Sequence, residues 1–200
     1  LSVLRSSIFS NLVQKVKENI DRGEENISLF EIGPIFEGKN PGDQIINVCA
    51  ISSGYASNPN WNEKGRYIDL FDVKKDLLHT LYELGTEKNQ IVIETTNLPN
   101  YYHPGKSGNI SFINNKNNYF ASFGELHPNI INQLDIKTNS LIGFEINLDK
   151  YVKLKQNNKK YKVNYEISEY QKSERDFAFI IDKNIQAQEV INLIKNVDTY

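Results

Sequence analysis

Residues 103–110 read His-Pro-Gly-Lys-Ser-Gly-Asn-Ile, "HPGKSGNI". The Gly105-Lys106-Ser107 triplet matches the end of a phosphate-binding loop. Its reading decides whether a helix or a strand comes next, and with it the fold. Such a loop needs a glycine five positions before the Gly of Gly-Lys-Ser and a helix straight after it. Backbone N–H groups and the helix N-terminus then face the phosphates. Counting back from Gly105 reaches Asn100, and the residues after Ser107 read "GNISFINNKNNYFASFGEL". Ile110, Phe112, Phe120 and Phe123 fall on alternating strands about a polar tip, Asn114–Asn118, which predicts a hairpin. The stretch is therefore expected to be a glycine-rich turn leading into a strand.

Outward from this hairpin, helices alternate with groups of strands. Ser6 or Ser7 caps a predicted helix running to about Asp21, with Ile8, Leu12, Val16 and Ile20 at helical spacing and Gly23 as its stop. "ISLFEIGPIFEG" (27–38) is β-rich and is expected to break at Gly33-Pro34. "DQIINVCAISSGY" (43–55) pairs with it antiparallel across the turn residues "KNPGD". Residues 56–67 form a polar loop in which Trp61 is expected to pack as an anchor. Helix 69–84 carries Leu70, Val73, Leu77, Leu81 and Leu84 on one face, with Asp69 as cap and Gly85 as stop. Further strands are predicted at 90–96, in hairpin 109–126 and at 141–152. "KLKQNNKKYK" (153–162) reads either as a solvated linker or as an RNA-contacting patch. "YKVNYEI" and "RDFAFIID" (175–182) read as strands and 186–197 as a helix. This order predicts an α+β fold with a mainly antiparallel sheet.

Composition narrows the function. The chain has 200 residues and a formal net charge of −2, so it is no general polyanion binder. It has no apolar run long enough to span a membrane. Cys49 is the single cysteine. It sits in "IINVCAI", which predicts a buried core residue, and it fits a reducing cytoplasmic setting without disulfides or a cysteine-rich zinc site. His79, His103 and His127 are not at metal-ligand spacing, and no metal site is expected. His103 and His127 each precede a proline. They read as turn residues bonding to backbone, with a pocket rim as the alternative. Glu125 and Asp176 lie in apolar strands, but nothing in the sequence pairs them as acid and base, and Ser107 has no triad partner. Arg5, Arg22, Arg66 and Arg175 are the only arginines, few for a site that must hold a triphosphate. No methionine occurs, even at position 1. This leads us to expect a piece of a longer protein, with its last strand and helix belonging to an unfinished domain.

Seven phrases together resemble one family. "LRSS" (4–7), "LFEIGPIF" (29–36), "DLFDVKKDLL" (69–78), "HPGKSGNI" (103–110), "FGELHP" (123–128), "GFEINLD" (143–149) and "ERDFAFIID" (174–182) occur in the order found in the β subunit of bacterial phenylalanyl-tRNA synthetase. The resemblance covers nearly the whole chain. It implies a non-catalytic class II synthetase-like domain over 1–163, an antiparallel sheet flanked by helices. Residues 164–200 would be the incomplete start of a ferredoxin-like, anticodon-binding domain. The family's segment before "RD" often carries a proline, where this chain reads Tyr170-Gln171-Lys172-Ser173-Glu174.

The resemblance also implies a catalytic α subunit as partner in an α2β2 assembly in the cytoplasm. ATP, Mg2+ and phenylalanine would be used there, with no catalytic, cofactor or metal site in this part. In active class II enzymes an arginine at the end of a strand like "LFEIGPIFEGK" holds the α-phosphate, and its place here falls at or next to Glu37. tRNA(Phe) is expected to bind this part weakly or not at all, with Lys159, Lys160, Lys162, Lys172 and Arg175 as possible RNA contacts. A stand-alone RNA-binding module and an ATP-dependent ligase acting alone remain the competing readings.

Overall fold

A computed structural model describes residues 4–38, 40, 42–138, 140–156, 170–171 and 173–197. The chain divides into two compact units, Leu1–Lys160 and Tyr161–Tyr200.

In the first unit, helix α1 (Phe9–Ile20) begins just after Ser7, whose hydroxyl accepts the Phe9 N–H at 2.9 Å. Strands β1 (Ile27–Phe36) and β2 (Gln44–Ser53) pair antiparallel over their full length, Ile27 opposite Ser53 and Phe36 opposite Gln44. Gly33-Pro34 does not break β1, contrary to expectation. β1 is an edge strand, and Pro34 lies on its outer side, where a missing N–H removes no ladder bond. The Pro34 carbonyl accepts from Arg5 Nε there, and the Phe36 N–H donates to the Arg5 carbonyl.

The expected loop 56–67 contains a two-stranded ribbon, β3 (Tyr55–Ser57) with β4 (Arg66–Tyr67). Trp61 is 97% exposed and anchors nothing. Helix α2 (Leu70–Glu83) starts at a full capping box: Asp69 accepts from Phe71 and Asp72 N–H groups while Asp72 reaches back to the Asp69 N–H. It ends before Gly85, whose φ of +80° favours glycine.

A 3-10 turn at Lys88–Gln90 leads into β5 (Ile91–Glu94), and β6 (Tyr102–Phe112) and β7 (Ala121–Leu126) complete the predicted hairpin. The short helix α3 (Pro128–Gln133) comes next, and β8 (Ile142–Asn147) runs directly into helix α4 (Leu148–Gln156). The expected strand 141–152 is thus half strand and half helix. Asn147 accepts the Lys150 N–H at 2.8 Å, and this side-chain cap turns the chain.

The six long strands form one antiparallel sheet in the order β1-β2-β8-β7-β6-β5. One face carries α1, with Phe9, Leu12, Val13 and Val16 over Cys49, Ile51 and Leu141. The other carries α2 and α4, with Val73, Leu77, Leu81, Tyr151 and Leu154 over Ile110, Phe112, Phe120 and Ile146. Gly143 lets α1 sit down on the sheet, since a Cβ there would lie 2.5 Å from Phe9 Cε2 and 2.6 Å from the Ala50 carbonyl.

In the second unit, helix α5 (Ala187–Val197) forms where predicted. Residues 175–182, expected as a strand, have no ladder partner among the described residues, and Phe177, Phe179 and Ile180 are exposed. The expected strand "YKVNYEI" and most of the lysine-rich run lie outside the described residues. Among the described residues no helix is long and apolar enough to cross a membrane.

Candidate functional site

The "HPGKSG" stretch is neither a phosphate loop nor a turn. It lies inside β6 as a wide bulge. Tyr102 pairs with Leu126 and Ser107 with Gly124, so five steps along β6 match two along β7. Within the bulge, His103 Nδ1 accepts the Gly105 N–H at 3.0 Å and the Ser107 hydroxyl donates to the His103 carbonyl at 2.7 Å. Lys106 pairs with Glu125 at 2.7 Å. A strand, not a helix, continues to Phe112, so no helix N-terminus faces the lysine. His127 Nδ1 accepts the Asn129 N–H at 3.2 Å and caps α3, with its ring stacked 6.4 Å from His103. Both histidines therefore bond to backbone, as their His-Pro context predicts. Glu125 is held by Lys106, and Asp176 belongs to the other unit.

The sheet face under α1 is apolar at one end and polar at the other. Beyond Cys49 and Gly143, alternate positions of β2, β6, β7 and β8 place Asn47, Asn109, Ser122, Glu145 and Asn147 around a hollow of about 260 Å3, with Asn97 and Tyr119 at its wall. Among the described residues no lysine or arginine lines it.

Glu145 is buried and accepts from Tyr101 Oη at 2.9 Å. Burial raises its pKa, and the hydrogen bonds from Tyr101 and Ser7 only partly offset this. Burial likewise pushes the Cys49 thiol up, with the Glu145 carboxylate adding to the effect, so Cys49 is an inert core group. Asn109 Nδ2 donates to the Thr96 and Asn97 carbonyls at 2.8 and 3.0 Å, which ties the loop after β5 to the hollow. Asn47 Oδ1 is buried without a hydrogen-bond partner among the described residues.

Chemically the hollow offers amides, hydroxyls and a carboxyl whose charged form is disfavoured. It provides hydrogen bonds but no fixed cation among the described residues, and a triphosphate needs fixed cations.

Sequence reasoning missed this cluster. Its signal is a polar residue at every second position within apolar strands, as in "INVCAI", "GNISF" and "GFEIN". Of the suggested RNA contacts, Lys159, Lys160, Lys162 and Lys172 lie outside the described residues, and Arg175 is exposed in the second unit. Glu37 is exposed just past the end of β1, its N–H donating to the Asp43 carbonyl at 2.9 Å.

The family description "Phenylalanyl tRNA synthetase beta chain CLM domain" matches residues 1–148. The chain belongs to the phenylalanyl-tRNA synthetase β-chain family. Among its relatives, the phenylalanine–tRNA ligase β subunit of Paramagnetospirillum magneticum is 36% identical over 200 residues, covering 99% of this chain and 24% of that protein. The β subunit of a Wolbachia from Brugia malayi is 35% identical over 194 residues, 97% of this chain and 23% of that one. The chain thus spans about a quarter of the length of the curated β subunits it matches. Among solved structures, the pyrrolysyl-tRNA synthetase PylSc of Desulfitobacterium hafniense superposes with a TM-score of 0.55 at 14% identity, over 76% of this chain and 50% of that one. This likeness concerns the fold alone. The β-chain family member shares with that synthetase an antiparallel sheet flanked by helices.

Proposed function

We propose that this chain is a structural, non-catalytic part of the β subunit of a phenylalanine–tRNA ligase. In this reading it supports a catalytic α subunit in an α2β2 assembly in the cytoplasm, and the α subunit uses ATP, Mg2+ and phenylalanine to charge tRNA(Phe). Residues 1–163 act as the synthetase-like scaffold, and residues from 164 begin a ferredoxin-like anticodon-binding domain. Family membership supports the assembly. The observation that carries the non-catalytic half is the polar hollow on the open end of the sheet face, which no cation lines among the described residues. Adenylate formation needs the triphosphate charge neutralised while the amino acid attacks, and amides do not supply that. Glu37 supports the same reading, because a carboxylate at the expected phosphate position repels the nucleotide.

The test has two arms. Co-expression with the α chain is expected to give a co-purifying complex, and separate elution overturns the scaffold role. Calorimetric titration of the purified chain with Mg-ATP, with pyrophosphate exchange in the presence of phenylalanine, is expected to give no saturable heat and no exchange above the no-enzyme control. Saturable micromolar binding or measurable exchange promotes a ligase acting alone.

A further inference from the structure

The outer face of α2 is not used by the fold or by the reading above. Val73, Leu77 and Leu81 point into the core, whereas Phe71 is 72% and Tyr82 65% exposed. Phe71, half-buried Leu78 and Tyr82 lie two and three turns apart on one stripe of the helix. The stripe borders a groove of about 670 Å3 between α2, the 3-10 turn at Lys88–Gln90 and β5. Lys74, Lys75, His79 and Lys88 line the groove, and Asp76 is its single carboxylate among the described residues. Three lysines against one aspartate leave +2 in a chain whose formal charge is −2. Among the described residues none of these three lysines is held in an ion pair. Glu83 and Glu87 stand next to Tyr82 and Lys88 in sequence but outside the lining.

We propose that this groove is a contact surface for a single strand of RNA. Exposed rings offer faces on which bases stack, and the lysines between them meet the phosphates. Phe71 and Tyr82 are separated by about 16 Å along the helix axis, a span that a few nucleotides cover. The charge decides between this occupant and a protein. Lysine is depleted from the buried centre of protein–protein interfaces while aromatic residues are enriched there. A groove whose lining carries both and sums to +2 complements a polyanion with π-faces. The two neighbouring glutamates keep the contact weak. It is an auxiliary site that adds to other contacts.

The proposal goes beyond the ligase reading and does not depend on an α chain, so either can fail without the other. The test is fluorescence anisotropy of a labelled oligouridylate, about a dozen nucleotides long, with the full chain at low salt. Micromolar binding is expected, with a slope of log K against log salt of roughly −2 for three phosphate contacts. Replacing Lys74, Lys75 and Lys88 with glutamine is expected to flatten that slope. Phe71→Ala and Tyr82→Ala each should weaken binding about fivefold or more at unchanged slope. Circular dichroism checks that each variant keeps its helices. No binding, or binding that neither the ring nor the lysine variants change, overturns the proposal. Equal affinity for an oligoglutamate peptide of matched charge also overturns it and assigns the groove to an acidic protein.

Discussion

Leu77→Ala tests the packing of α2 on the sheet. Leu77 is 0% exposed, held between Val73 and Leu81 on its own helix and belonging to one cluster with Ile110, Phe112, Phe120 and Ile146. Truncation removes three carbons from a site shut off from water, a transfer loss of roughly 2–2.5 kcal/mol at about 0.8 kcal/mol per methylene. A cavity term is added to the extent that the surroundings fail to collapse. Here the floor is a hydrogen-bonded sheet and the roof a helix pinned by its capping box, so little collapse is available. The expected loss is therefore about 3–5 kcal/mol, the upper part of the range for buried leucines. Urea unfolding followed by helical circular dichroism measures it. Trp61 is nearly fully exposed, and its fluorescence is a poor reporter of unfolding. Phe71→Ala, on the outward side of the same helix, serves as control and should stay within about 0.5 kcal/mol. A Leu77→Ala change as small as that of the control would refute the packing.

Three further outcomes are expected. Gly143→Ala should cost about 1–3 kcal/mol, because the added methyl meets the Phe9 ring and also the Ala50 carbonyl; Phe9→Leu relieves only the first clash, so a full rescue in thermal melts counts against the account. Asp69→Ala removes the side-chain half of the α2 cap and should cost about 0.5–2 kcal/mol, measured in the same urea assay, with no loss pointing to a frayed first turn. Burial raises the Glu145 pKa, so the folded chain holds that proton where the unfolded chain releases it, and stability falls as pH rises from the ordinary glutamate range through the folded pKa. Glu145→Gln should remove that decline and gain stability over the parent as pH rises toward neutrality; a parallel pH profile for both proteins would falsify it.

Much of the fold was determined locally. The hydrophobic spacing of Ile8, Leu12 and Val16 and of Val73, Leu77 and Leu81 specified two helices and their buried faces, and Asp69 and Gly85 marked the ends of one of them. The hairpin about Asn114–Asn118 was legible from alternation, and the buried state of Cys49 from its apolar neighbours. These signals depend on residues within a few positions of one another, and a linear reading captures them.

The sequence did not show which elements lie beside one another. Pro34 reads as a strand breaker until the sheet order puts it on an edge, where no partner needs its N–H. "HPGKSG" reads as a turn until pairing with β7 shows strand on both sides of it. The polar hollow is the clearest case. Asn47, Asn109, Glu145 and Asn147 come from three strands far apart in the chain, and each alone is one polar residue in an apolar run. The antiparallel register brings them to one face, and burial there raises the pKa of Glu145. Local sequence sets conformation, but register and burial are properties of the assembled sheet, and the chemistry of the hollow depends on both.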